Sequence, residues 1–193
     1  QFEQTETFKN LARSFAGESQ ARNRYTYAAE AAKSQSLHVI EAVFKFTANQ
    51  EKEHGKIFYN FLKEMTGENI TIDGSYPVDI YDDVLKLLRS AQHNEFEEFE
   101  PVYPDFAAVA NQEGFTNIGA KFNQIAKIEK THGDRFGMFA DLLEQGKLFV
   151  SDVEEEWMCL NCGYVHKSSE APKSCPVCSH PQGYFVRLKL APF

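Results

Sequence analysis

Four stretches of this chain repeat apolar residues at alternating steps of three and four, and every stripe turns ionisable near its middle. The first runs Phe8, Leu11, Phe15, Glu18, Arg22, Tyr25, Ala29, and the second Phe44, Thr47, Glu51, His54, Phe58, Phe61, Met65. The third runs Val84, Leu88, Ala91, Glu95, Glu98, Val102, and the fourth Phe115, Ile118, Phe122, Ile125, Glu129, His132, Phe136, Phe139, Leu143. This spacing puts each set on one face of a helix, directed at the interior of a bundle. A bundle core has no ordinary use for five glutamates, because an unpaired buried carboxylate neutralises or is excluded. One glutamate on a seam is usually snorkelling or salt-bridged, and Arg22, a turn after Glu18, is expected to pair with a carboxylate. Four interrupted stripes ask for cations. Two ferric ions with a bridging oxide would bring about +4 against the charge of five carboxylates.

Two of the interruptions share a pattern, Glu51-Lys52-Glu53-His54 and Glu129-Lys130-Thr131-His132. Spacing i, i+3 places a carboxylate and an imidazole on one face, so each helix can bridge two metals and cap one. Glu-x-x-His from two helices, with a glutamate from each of the others, is the recurring donor set of ferritin-like di-iron bundles. Glu95 and Glu98 supply one carboxylate beyond that set. Glu53, Glu97 and Glu100 fall off the seam and are expected to face solvent, as is His93.

The connections fit the same fold class: mainly α, a ferritin-like four-helix bundle with one long crossover. Ser34–Ser36 makes a short turn between antiparallel helices, and Gly67 to Pro77 is the long connection. Pro101 and Pro104 break or kink the chain, a short helix follows to Gln112, and Gly114 turns into the last stripe. Periodicity stops at Gly146. The expected organisation is a bundle over residues 1–146, a linker over 147–156 and a small domain over 157–193.

All four cysteines fall in that small domain, as Cys159-x-x-Cys162 and Cys175-x-x-Cys178. Two such knuckles hold four thiolates tetrahedrally, a geometry that suits zinc or iron. So short a segment builds little core alone, so metal binding supplies much of its folding energy. Trp157, Tyr164, Tyr184 and Phe185 around the knuckles favour a dry, electron-transferring iron over a structural zinc. Backbone amides after each knuckle, Gly163 for instance, are expected to tune it.

Net charge is −8, unevenly placed: Lys167, Lys173, Arg187 and Lys189 outweigh Glu170 to leave +3 on residues 157–193, and −11 on the rest. No basic stripe for nucleic acid is present. No apolar run reaches the ~20 residues of a membrane helix. Charges at Glu3, Glu6, Lys9 and Arg13 do not look like a secretory signal, so a cytoplasmic location is expected.

These residues resemble the rubrerythrin family along nearly the whole chain. Phe15-Ala-Gly-Glu18-Ser-Gln-Ala-Arg-Asn-Arg-Tyr25 is similar to its first-helix signature. Gln50-Glu51-Lys-Glu-His54, Glu95-x-x-Glu98 leading to Tyr103-Pro104, and Glu129-x-x-His132 match its other ligand helices. The tail resembles rubredoxin, with Cys-Gly-Tyr, Val165-His166 and Cys-Pro-x-Cys in order. The resemblance implies Glu18, Glu51, His54, Glu95, Glu98, Glu129 and His132 as ligands of two irons. It implies Cys159, Cys162, Cys175 and Cys178 as ligands of a single iron in a small metal-bound β/loop domain. It further implies that one iron moves between His54 and Glu98 with redox state, and that Tyr25 and Tyr103 lie near the site. His93-Asn94 and Pro101 depart from the family pattern.

The resemblance implies a peroxidase that reduces hydrogen peroxide to water and protects against oxidative stress. Glu98, His54, Tyr25 and Tyr103 are its candidate catalytic residues. Electrons would come through the tail iron from a reductase drawing on NADH or from a rubredoxin, within a head-to-tail homodimer. The alternative is a ferroxidase or iron-handling role, for which a built-in electron-transfer centre has no evident use. A di-iron oxygenase would want an apolar pocket beside the metals.

Overall fold

Helix α1 (Glu6–Ser34) begins where the Thr5 hydroxyl accepts the Phe8 amide at 3.1 Å. That satisfies one of the donors a helix start leaves open. The computed structural model describes all 193 residues. After α1 the chain turns at Ser36, which takes a positive φ, into α2 (His38–Asn60). A long crossover leads to Asp83, whose carboxylate accepts the Leu85 and Lys86 amides and caps α3 (Val84–Glu97). Helices α4 (Tyr103–Gln112) and α5 (Thr116–Glu144) follow. Helix α1 packs along α2, while α3 and α4 pack along α5. No helix is long and apolar enough to cross a membrane.

The apolar ends of the stripes form two separate cores. One holds Tyr25, Val39, Phe44, Leu88, Phe136 and Phe139. The other holds Leu11, Phe58, Tyr103, Ile118, Phe122 and Ile125. Each fully buried Phe or Leu contributes roughly 1.5–3 kcal/mol. The ionisable middles lie at the level between the two.

The break expected at Pro101 is a kink between α3 and α4, where Glu100 leaves helical geometry at φ −157° and ψ 115°. Proline lacks the amide and crowds the preceding turn, so the α geometry of α3 ends ahead of it.

The tail is a three-stranded antiparallel sheet of order β2-β1-β3, from β1 (Val150–Cys159), β2 (Val165–Glu170) and β3 (Phe185–Arg187). Strand β1 starts inside the segment expected as linker. Neighbouring cations make that possible: Glu154 meets Lys167 of β2 at 3.5 Å, and Glu155 meets Lys189, just past the end of β3, at 2.6 Å. A register shift between Val150 and Glu155 absorbs the irregularity.

The tail rests on the α1–α2 turn of its own chain. A side chain at Gly183 would put Cβ 1.8 Å from the Ser36 carbonyl oxygen, so only glycine allows this approach. The Tyr184 ring stacks on His38 at 4.0 Å, and the Phe193 ring lies 5.9 Å from that of Phe139. His38 and Glu51 share α2, and the helical rise separates them by about 20 Å along its axis.

Candidate metal centres

Six ionisable side chains from four helices meet between the two cores. Glu18, Glu51, Glu95 and Glu129 are at most 1% exposed, His132 is 1% and His54 5%. Their ligand atoms form two groups, each with all atoms within 4.8 Å of one another: Glu18, Glu51, His54 and Glu129, then Glu51, Glu95, Glu129 and His132. Glu51 and Glu129 belong to both, so two cations here would share those carboxylates. The i, i+3 spacing on α2 and α5 has this consequence.

The donors fit metal and little else. Eight buried atoms of these six residues lack a hydrogen-bond partner, including both oxygens of Glu51 and Glu129 and Nδ1 of both histidines. Native proteins rarely leave such groups unpaired. The Nδ1 atom of His132 lies 2.7 Å from Glu51 Oε1 and 3.0 Å from Glu129 Oε2, and that of His54 lies 2.8 Å from Glu129 Oε1.

Without cations the electrostatics are unfavourable. Burial, then the Glu51 charge, pushes Glu18 up to about 8. Burial and Glu51 drive Glu129 well above the carboxylate range. Burial opposes a charged His132, yet Glu51 and Glu95 outweigh it and raise that histidine to about 10. His54 is raised likewise, against burial, by Glu129, Glu18 and Glu51. The imidazoles would stand in for the missing positive charge. Divalent or trivalent ions remove the conflict directly.

Each tyrosine expected near the site bonds one terminal carboxylate. Tyr25 Oη donates to Glu95 Oε1 at 2.5 Å, and Tyr103 Oη donates to Glu18 Oε1 at 2.5 Å. Glu98 stands apart. The structure does not bring it into either group; it directly follows α3, just ahead of the kink at Glu100. With Tyr103 it lines a cavity of about 280 Å³ between α1, the crossover and the α3–α4 kink, together with Arg13, Gln20, Arg24 and Asn94. Burial, then the charges of Glu18, Glu95 and Glu51, drives its carboxyl well above the usual range.

Arg22 pairs with no carboxylate, contrary to expectation; its buried Nη1 has no partner. His93 and Glu97 are exposed as expected and pair at 3.1 Å. Sequence reasoning named Gln50 only as part of a family motif and gave it no role; its Oε1 accepts from His132 Nε2 at 2.8 Å. The same reasoning missed Arg135, which reaches the same oxygen at 3.3 Å. Neither lies on a stripe, so periodicity gave no signal for either.

In the tail, Cys159 and Cys178 sulfurs are 3.7 Å apart, as are those of Cys162 and Cys175. That is far from a disulfide. Four sulfurs at ~2.3 Å around a tetrahedral metal stand ~3.75 Å apart, so the spacing fits one ion. The Gly163 amide bonds the Cys159 carbonyl instead of a sulfur. The amides that reach sulfur are those of Asn161 and Cys162 on Cys159, Tyr164 on Cys162 and His180 on Cys178. The His180 amide holds the Cys178 thiol down to about 6, while burial pushes Cys159 up to about 12. Trp157 and Phe185 are fully buried beside Cys159 and Cys175.

Fold and sites together define a ferritin-like di-iron carboxylate protein joined to a rubredoxin-like four-cysteine iron domain. Residues 9–140 match the family described as Rubrerythrin, and residues 157–186 the one described as Rubrerythrin, rubredoxin-like domain. The chain belongs to the rubrerythrin family. It is 46% identical to Rubrerythrin of Clostridium perfringens (strain 13 / Type A), covering 96% of this chain and 95% of that one. It is 40% identical to Rubrerythrin of Nitratidesulfovibrio vulgaris, covering 94% of each. The solved structure of fully reduced, all-ferrous nigerythrin superposes with a TM-score of 0.64 at 27% identity, over 95% of this chain and 90% of that one. Bacterioferritin of Desulfovibrio desulfuricans, at 20% identity and a TM-score of 0.64, covers 74% of this chain and 82% of its own, and shares the bundle fold.

Proposed function

We propose that this chain is a non-haem di-iron peroxidase that reduces hydrogen peroxide to water. Its electrons come through the tail iron, and its role is protection against oxidative stress in the cytoplasm. The observation that carries the reading is the coupling, in one chain, of a cation-demanding carboxylate cluster to a four-thiolate site. Glu18, Glu51, His54, Glu95, Glu129 and His132 would hold two irons. Glu98, outside both groups but at their edge, is the candidate seventh ligand in one redox state. Cys159, Cys162, Cys175 and Cys178 would hold the third iron. The bundle through residue 146 and the tail from residue 157 divide these tasks.

Hydrogen peroxide takes two electrons and two protons as its O–O bond breaks to give two waters. Bound iron supplies those electrons and a Lewis acid for the departing oxygen. The protein's own part is placement and protons. Tyr25 and Tyr103 fix Glu95 and Glu18 through buried hydrogen bonds. Glu98 and Tyr103 share the cavity wall and the edge of the cluster, so either can pass a proton inward. The guanidinium and amide groups in that wall suit a small polar substrate and do not favour an oxygenase with an apolar one.

Cys162 is the exposed cysteine of the four, and an external donor, an NADH-linked reductase or a rubredoxin, would meet the tail there. Within one chain the tail sits at the His38 end of α2, about 20 Å of helix from Glu51. Electron transfer over that span is unfavourable, which supports a head-to-tail homodimer in which each tail serves its partner's cluster. A Cys159→Ala chain tests the relay. Reduced beforehand, it should consume one equivalent of peroxide per cluster and then stall with reductase and NADH present. Sustained turnover by that variant would remove the tail from the reaction.

A further inference from the structure

Arg135 on α5 is a half-buried cation with no carboxylate partner, and its Nε has no hydrogen-bond partner. Its Nη2 spans to α2, donating to Thr47 Oγ1 at 3.1 Å and Gln50 Oε1 at 3.3 Å, with the guanidinium 5.2 Å from the Phe46 ring centroid. The same Gln50 Oε1 lies 2.8 Å from His132 Nε2. A guanidinium only donates, so it selects the oxygen end of the Gln50 amide. An amide oxygen only accepts, so the hydrogen of a neutral His132 sits on Nε2 and the lone pair on Nδ1. Nδ1 is the nitrogen that faces Glu51, Glu129 and Glu95, at 2.7, 3.0 and 3.7 Å. His54 presents Nδ1 to its carboxylates without such a brace.

We propose that Arg135 is a positioning residue for the di-metal cluster: by orienting the Gln50 amide it sets the His132 tautomer that leaves Nδ1 free to bind metal. Outer partners of a ligating histidine commonly change metal affinity by about 10–100-fold when removed. The inference rests on the two-metal reading of the cluster and not on peroxide as substrate. If the unaltered chain fails to take two ferrous ions into the bundle, that reading fails before any variant is compared.

The test is anaerobic loading of ferrous ion against a chelator, with the tail site's own absorbance as an internal control. Arg135→Met should weaken loading of the bundle about tenfold and leave the tail unchanged. Gln50→Glu added to Arg135→Met should recover most of the loss, because either carboxylate oxygen accepts from Nε2 and no orientation need be chosen. Unchanged loading by Arg135→Met would overturn the proposal, as would a loss that Gln50→Glu does not relieve. Should Arg135→Met fail to fold, Arg135→Gln, whose amide can donate or accept and so no longer selects the oxygen end of Gln50, carries the same decision: about a tenfold loss supports the proposal, and wild-type loading overturns it.

Discussion

Tyr103 donates to an oxygen of Glu18 inside a site from which water is excluded. A hydrogen bond to a charged group contributes about 1.5–3 kcal/mol, and its loss leaves that oxygen unpaired. Tyr103→Phe should therefore weaken ferrous loading of the bundle by at least about tenfold, read by chelator competition; an unchanged curve would show that Glu18 needs no such support. Proton linkage gives a second expectation, for the metal-free chain alone. Glu18 is raised from 4.5 to about 8, and His132 from 6.5 to about 10. For both groups the folded state holds its proton more tightly than the unfolded chain. Stability is then fully present below the unfolded value and lost as pH rises through the folded one. Glu51 and Glu95 are lowered, against burial, so they act only on the acid side. Thermal melts of the metal-free protein should fall steadily from about pH 5 to pH 10, and iron should flatten that slope. A metal-free melt that rises over this range would contradict the assignment.

Helices α1, α2 and α5 were legible because burial at a repeat near 3.6 residues leaves a mark in sequence, and the same mark put five ligand candidates on their faces. The break between α3 and α4 was legible as well, because Pro101 announces it, and the kink falls at Glu100. Strand β1 was hidden: Glu154, Glu155 and Glu156 look like a solvated linker until Lys167 and Lys189 are brought alongside. Gln50 and Arg135 act across α2 and α5, a relation that no single helix records. Gly183 carries the element-scale prediction. Gly183→Ala places a methyl against the Ser36 carbonyl, and backbone on both sides leaves little room to yield. The tail should lift from the bundle, exposing residues 145–149 to faster limited proteolysis while the four-cysteine absorbance persists. Wild-type protease resistance would mean that the contact is dispensable.

Across the whole molecule, charge and distance point the same way. The bundle and linker carry −11 and the tail +3, a complementarity that steers and orients docking, while the chain's own tail rests at the His38 end of α2, about 20 Å of helix from Glu51. A Cys159→Ala chain lacks the tail iron, and a Glu51→Ala chain lacks a carboxylate shared by both halves of the cluster. Mixed, they should recover turnover that neither shows alone; no recovery would rule out delivery between partners. The resemblance reached both iron sites from sequence, but the choice of peroxide belongs to chemistry that spacing does not encode. Rapid mixing tests it most directly. The anaerobically reduced protein is mixed with one equivalent of hydrogen peroxide, or of dioxygen, while the ferric four-cysteine absorbance is followed. A peroxidase wired to its tail predicts much faster reoxidation by peroxide; reoxidation by dioxygen at the same rate or faster would contradict that account.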